Sequence, residues 1–216
     1  IFQEIIHGGP EDNYGGCLSY RLLQDVIGYK LLYPGQVHIL LGNHDTAVIN
    51  EGTVMKNGRE LNLAMQDAMK REYKEYFGPV HQAMVYYLLS QPLAVRTPNK
   101  IWISHSLPAD PYVDTFDISI FERPYTVEDT QRPNPVYLLT WGRRQSPQAL
   151  QKMAQRLDVD LFVLGHQPQD EGWAIVGDNT IILASEHSHG CLLTFELGRF
   201  YNIEMLSEGV VPLASL

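Results

Sequence analysis

The sequence predicts an α/β fold in which alternating strands and helices give way to strands alone. Three observations lead there. Short continuous apolar runs, the pattern of strands buried on both faces, recur at 37–41, 101–103 and 161–164. Stretches with apolar residues at helical spacing lie between them. After residue 180, runs of β character follow one another at 180–184, 192–197 and 201–206. That order suggests a sheet sandwich with helices outside, in one domain spanning residues 1–216. With 44% hydrophobic residues the chain can bury a substantial core.

Taken in order, the chain opens at Ile1 directly in an apolar, strand-like stretch (Ile1, Phe2, Ile5, Ile6), which predicts that further residues precede it. The stretch ends at His7-Gly8-Gly9-Pro10, and a polar loop follows. Leu18, Leu22, Val26 and Tyr29 then recur at helical spacing, with Leu23, Ile27 and Leu31 beside them, and Pro34-Gly35 stops that helix. The run at 37–41 delivers Gly42-Asn43-His44-Asp45 as a loop at its C-terminal end. Leu61, Met65, Met69, Tyr73 and Tyr76 predict a second helix ended by Gly78-Pro79, with a third over about 80–89. A hairpin is expected from 93–97 and 101–103, turned by Pro98-Asn99, leading into Ser104-His105-Ser106. Residues from about 110 to 135 hold four prolines and little periodicity, and read as a loop-rich insertion crossing the surface like a lid. A strand is expected at 137–140. Ser146-Pro147 is a cap and first-turn pair for a helix bearing Leu150, Ala154 and Leu157.

Charge and cysteine content narrow the function classes. With 16 Lys and Arg against 25 Asp and Glu, the formal net charge is −9. That argues against a nucleic-acid polymer as partner, because phosphate backbones call for a basic stripe. It leaves phosphorylated substrates open, since bound metal ions reverse the local field. Only Cys17 and Cys191 are present, which points to a reducing, cytoplasmic setting, and no apolar run is long enough to span a bilayer.

The chemistry concentrates where short apolar strands end in Gly or Ser followed by histidine: Gly42-Asn43-His44, Ser104-His105 and Gly165-His166. Strand ends bring distant residues onto one rim of a sheet, where α/β folds build their sites. Imidazole suits Zn, Fe and Mn, and Asn offers a neutral carbonyl oxygen. One such histidine is weak evidence on its own; three in this order are not readily coincidental.

This set resembles the latter part of the calcineurin-like metallophosphoesterase pattern, through Gly42-Asn43-His44-Asp45, Ser104-His105-Ser106 and Gly165-His166-Gln167-Pro168. The resemblance implies a four-layer αββα sandwich of two mixed sheets flanked by helices, with its first strand absent. It implies two divalent transition metal ions (Mn, Fe or Zn) and hydrolysis of a phosphate ester by in-line attack of metal-bound hydroxide. Asn43 would be a metal ligand reaching toward the phosphate, His105 and His166 would ligate metal, and His44 would be the general acid, with Asp45 and His7 beside it among the catalytic residues. The substrate class would be a phosphorylated small molecule, a nucleotide or a phosphoprotein.

The departures from that pattern are informative. The family's Asp-x-His motif is absent. In its second motif Glu4 stands for the metal-bridging Asp, His7 for the Asp that orients the general acid, and Gly8 for a phosphate-binding Arg. Glu4 and His7 either keep those roles with altered geometry or form an edge strand and turn. Arg143 and Arg144 are the remaining candidates for gripping phosphate bidentately, or else a solvated basic pair. His187 and His189, at alternate positions, either add metal donors or close the site. Trp141 and Trp173 read as packing residues. The competing functions are a binding or scaffold domain that has lost its aspartates, and an inactive fragment of an active enzyme.

Overall fold

The computed structural model describes residues 1–56 and 58–216. They divide into two units, Ile1–Pro92 with Tyr125–Asn134, and Leu93–Pro124 with Pro135–Leu216. The class is α/β, with helices and both parallel and antiparallel strand pairs.

In the first unit, β1 (Phe2–Gln3) is far shorter than the apolar stretch that predicts it. Glu4 turns the backbone into the left-handed region, with φ 47°, and ends the strand there. Helix α1 (Ser19–Leu32) stops just before Pro34, as expected. Of the expected apolar set Leu23 is buried, together with Tyr20, whereas Leu22 and Tyr29 are each 49% exposed. Glu72 accepts hydrogen bonds from the Tyr20 hydroxyl at 2.5 Å and Arg21 Nη2 at 2.5 Å, which gives the buried Tyr20 a partner for its polar end. Strand β2 (Ile39–Leu40) pairs in parallel with β1, Phe2 opposite Ile39.

Residues after β2 form helix α2 (Asn43–Ile49) rather than the expected loop. A hairpin of β3 (Met55–Lys56) and β4 (Arg59–Glu60) follows, Lys56 opposite Arg59. Helix α3 (Leu61–Tyr73) is capped by the Glu60 carboxylate and buries Met65 and Met69, two of the predicted stripe. It ends at Lys74, where φ is 48°, and not at Gly78-Pro79. Those two residues lie in the first turn of α4 (Phe77–Leu89), where proline's missing N–H has no helical partner to lose.

The Glu72 contact yields a prediction. The Tyr20 hydroxyl, followed by the opposing effect of burial and the support of Arg21, holds the Glu72 carboxyl below its ordinary value. A depressed carboxyl contributes stability above the ordinary carboxylate range and loses it as pH falls through the folded value. Glu72→Gln should therefore flatten the acid side of the stability–pH curve in urea titrations while changing its neutral side less steeply.

The second unit holds a five-stranded sheet. Strands β5 (Ala94–Arg96) and β6 (Ile101–Ser104) form the expected antiparallel hairpin. Helix α5 (Pro135–Trp141) replaces the strand expected at 137–140. A four-residue apolar run does not distinguish a buried helical turn from a strand, and here the Thr140 hydroxyl donates to Val136 O at 2.9 Å, one helical turn back. Helix α6 (Pro147–Leu157) begins as predicted, the Ser146 hydroxyl accepting the Ala149 N–H at 3.2 Å.

Strands β7 (Leu161–Leu164), β8 (Trp173–Val176) and β9 (Thr180–Leu183) complete the sheet in the order β5-β6-β7-β9-β8. Strands β6, β7 and β9 run parallel and β8 antiparallel to β9. Beyond the sheet, β10 (Cys191–Leu193), helix α7 (Ile203–Ser207) and β11 (Val210–Pro212) follow, with β10 and β11 antiparallel. The strand expected at 201–206 is thus mostly α7, because Asn202 caps it, its Oδ1 accepting the Met205 N–H at 2.8 Å.

The insertion at about 110–135 is loop-rich, with three 3₁₀ turns, but it is no free lid. Within the second unit Phe116 and Ile120 are almost wholly buried. Within the first, the Tyr125 hydroxyl donates to Leu88 O and Gln91 O at 3.0 and 2.9 Å.

Candidate active site

In the first unit the candidate residues gather where β1 and β2 end. Glu4 leaves β1 in the left-handed conformation, and α2 begins after Gly42. One Glu4 oxygen accepts the His44 backbone N–H at 2.7 Å, so the carboxylate caps the first turn of α2, where the helix dipole favours negative charge. His7 Nε2 faces the other oxygen at 3.6 Å, and the His7 and His44 rings lie 4.4 Å apart. Donor atoms of Glu4, His7 and His44 all fall within 4.8 Å of one another. Asn43 and Asp45 are buried beside them.

Asp45 has a structural task there. Its Oδ2 accepts the Gly42 N–H at 2.9 Å, tying the start of the helix to its third residue. Burial pushes its carboxyl up to about 7, against the backbone N–H groups of Gly42 and Ile6, which favour the charge.

Gly42 makes the arrangement possible. A Cβ at this position would stand 2.4 Å from Glu4 Cβ and 2.5 Å from Glu4 Oε1. Gly42→Ala should displace Glu4, weaken metal binding by isothermal titration, and lower stability by about 1–3 kcal/mol in urea denaturation.

In the second unit β6 and β7 are parallel neighbours with Ser104 opposite Leu164, so the residues that follow them leave the sheet at the same edge. Gly165 N–H reaches His105 O at 3.1 Å, and His105 Nε2 stands 3.1 Å from His166 Nδ1. Two imidazole nitrogens bound to one ion at about 2.0–2.1 Å would be separated by about 2.8–3.4 Å at octahedral to tetrahedral angles. This pair therefore fits a shared metal ion. In the first unit, a carboxylate with imidazoles is a donor set suited to Mn, Fe or Zn.

His166 has φ 65° and Arg144 φ 57°. With Glu4, these are three candidate residues in a backbone region that side chains seldom adopt, each costing on the order of 1–3 kcal/mol. Such strain concentrates where a side chain must be aimed. Arg143 and Arg144 are exposed, and the Arg144 N–H donates to Gln167 Oε1 at 3.0 Å, which fixes the arginine pair to the residue after His166. Just before the pair, Gly142 packs against Leu107, where a Cβ would meet Leu107 O at 1.8 Å.

Two assignments change. His187 and His189 do not share one face of an extended strand, because the chain turns at these residues. Instead His187 Nε2 meets Gln169 O at 2.8 Å and His189 Nδ1 meets Asp170 O at 3.0 Å, latching the loop after His166. Trp141 stacks on Tyr137 with ring centroids 5.7 Å apart, and its centroid also lies 6.4 Å from that of His166 in a T-shaped arrangement. Lys56, whose Nζ lies 3.2 Å from His7 Nδ1, had no signal in the sequence, being an isolated lysine in no motif.

Residues 5–170 match the model of the calcineurin-like phosphoesterase family. The chain is 23% identical over 167 residues to a probable serine/threonine-protein phosphatase of Encephalitozoon cuniculi, covering 69% of this chain and 34% of that protein. It is 21% identical over 201 residues to a serine/threonine-protein phosphatase of Caenorhabditis elegans, covering 83% and 42%. It therefore spans well under half the length of these curated relatives. Among solved structures, a Saccharomyces cerevisiae protein serine/threonine phosphatase superposes with a TM-score of 0.59 at 16% identity, covering 77% of this chain and 53% of that one. A cold-active protein-tyrosine phosphatase of a psychrophilic Shewanella gives 0.52 at 16% identity, covering 83% and 59%. At such identities the superpositions establish the fold, and the match over residues 5–170 establishes the lineage: the chain belongs to the calcineurin-like phosphoesterases.

Proposed function

We propose that the protein hydrolyses phosphate esters with divalent metal ions, for which Glu4 and Asn43 in the first unit, and His105 and His166 in the second, are each candidate ligands. The observation that carries this reading is the His105–His166 pair, two imidazole nitrogens 3.1 Å apart at the ends of adjacent parallel strands. Such ions supply an activated water and neutralise charge on the phosphoryl oxygens. His44 donates the proton that the leaving alcohol oxygen requires, and Glu4 holds the backbone N–H of His44 in place. Arg143 and Arg144 offer guanidinium groups to the phosphate. The names of the curated relatives favour a phosphoserine or phosphothreonine substrate. Gly8, with no side chain to offer a phosphate, argues instead for a smaller phosphorylated molecule.

Hydrolysis of p-nitrophenyl phosphate tests the reading. Protein stripped with chelator should be inactive and regain turnover with Mn²⁺. Equal turnover with and without metal would refute the metal-dependent reaction. Tight metal binding without hydrolysis of any phosphate ester would favour a binding or scaffold role.

A further inference from the structure

We infer that Gln167 is a positioning residue that sets the arginine pair against His166: its backbone closes the turn that presents His166, and its side chain holds the loop carrying Arg143 and Arg144. This role presupposes the proposed reading, in which His166 ligates metal and the arginines grip phosphate. All these residues belong to the second unit. The Gln167 N–H donates to Gly165 O at 2.7 Å, closing a three-residue turn whose central residue, His166, has φ 65°. A turn of this span with a central φ of about +75° is the strained form of the γ-turn. Gly165 in turn donates its N–H to His105 O at 3.1 Å, which fastens the turn to the residue following β6.

The side chain reaches the other way. The Arg144 N–H donates to Gln167 Oε1 at 3.0 Å. A backbone N–H can only donate, so the amide oxygen faces Arg144 and the amide nitrogen is left for another acceptor. Gln145 Oε1 stands there, at a longer 3.4 Å. Gln145 is itself buried, and its Nε2 donates to Leu107 O at 2.5 Å. At the start of the loop the Ser106 hydroxyl donates to Gly142 O at 2.5 Å. Residues flanking both histidines thus hold the arginine loop, and the Gln167 bond is made to Arg144 itself. Arg144 needs such a hold, because its φ of 57° costs on the order of 1–3 kcal/mol and persists only where the surroundings impose it. The arginines therefore keep a fixed offset from His166, the condition for one phosphate to meet both.

The test is calorimetric binding of orthophosphate to Mn²⁺-loaded protein, with bound metal measured in each sample. Arg143→Met with Arg144→Met should weaken phosphate binding at least about tenfold, as loss of charged hydrogen bonds does. Gln167→Met should weaken it about three- to tenfold, the span of one neutral hydrogen bond, with metal content unchanged, since the His166 turn is closed by backbone. Adding Gln167→Met to the double arginine variant should cost nothing more, because Gln167 acts through the arginines. In metal-free protein the Arg144 amide should exchange several-fold faster in Gln167→Met, and at the wild-type rate in Gln167→Glu, which keeps an acceptor. Unchanged phosphate affinity or loss of metal in Gln167→Met, or a further loss on the arginine-free background, would each overturn the inference. So would an unprotected Arg144 amide in the wild type, a result that needs no variant. Should Gln167→Met fail to fold, Gln167→Asn, whose amide falls one methylene short, takes its place. Unchanged phosphate affinity in the double arginine variant would instead remove the arginines from the proposed site, a failure of that reading that these measurements tell apart.

Discussion

Replacing His44 with alanine should lower kcat/KM by about 10²–10⁴-fold on alkyl phosphates, the range that loss of a general acid produces. In activation free energy this is about 3–5 kcal/mol. The loss should depend on the leaving group. An alkoxide departs poorly without a proton, whereas a nitrophenolate barely needs one, so His44→Ala should affect p-nitrophenyl phosphate much less than an alkyl ester. That graded response distinguishes proton donation from simple damage to the site, which would lower both alike. His44 is buried at the start of α2, so its truncation also carries a stability cost. Bound-metal content in the variant should nevertheless stay at the wild-type level, since Glu4 meets the backbone N–H of residue 44 and not its side chain. A uniform loss across leaving groups would assign His44 another role.

The second large effect is expected at His166. Its ring nitrogen pairs with that of His105, and its backbone is left-handed, with φ 65°. Asparagine tolerates that conformation better than most residues, so His166→Asn removes the imidazole with the least change in backbone strain. Metal analysis should show fewer ions bound, and turnover should fall by about 10²-fold or more, since a bound ion contributes several kcal/mol to charge stabilisation. His105→Asn should match it if both nitrogens serve one ion. A variant that keeps its full metal content would remove the pair from the ligand set.

How far this site can be read from sequence depends on how local its causes are. His44, His105 and His166 are legible because each follows a short buried strand, and a strand's end is set by a few consecutive residues. The adjacency of the last two follows from β6 and β7 being parallel neighbours, which no residue of either strand announces. The short elements are less legible. Residues 137–140 and 201–206 are too brief to display a period, so capping by Asn202 and the back-bonded Thr140 decide for helix. The α1 stripe misleads for a different reason: Tyr20 can be buried there because its hydroxyl finds a partner in Glu72, distant in sequence. Lys56 lies beyond sequence reasoning altogether, because a hairpin and a reversed backbone at Glu4 together bring it to His7. Gly42 is half legible. Its place before Asn43 marks the motif, but the reason for glycine is the Glu4 side chain pressed against it.

The central claim, a metal-dependent phosphate ester hydrolase, is tested most directly by measuring turnover and bound metal in the same samples as Mn²⁺ is titrated into chelator-stripped protein. The account predicts that hydrolysis is absent at the start and rises in step with metal bound, saturating at about two ions per chain. Full hydrolysis at zero bound metal, or saturation with metal and no hydrolysis, would contradict it.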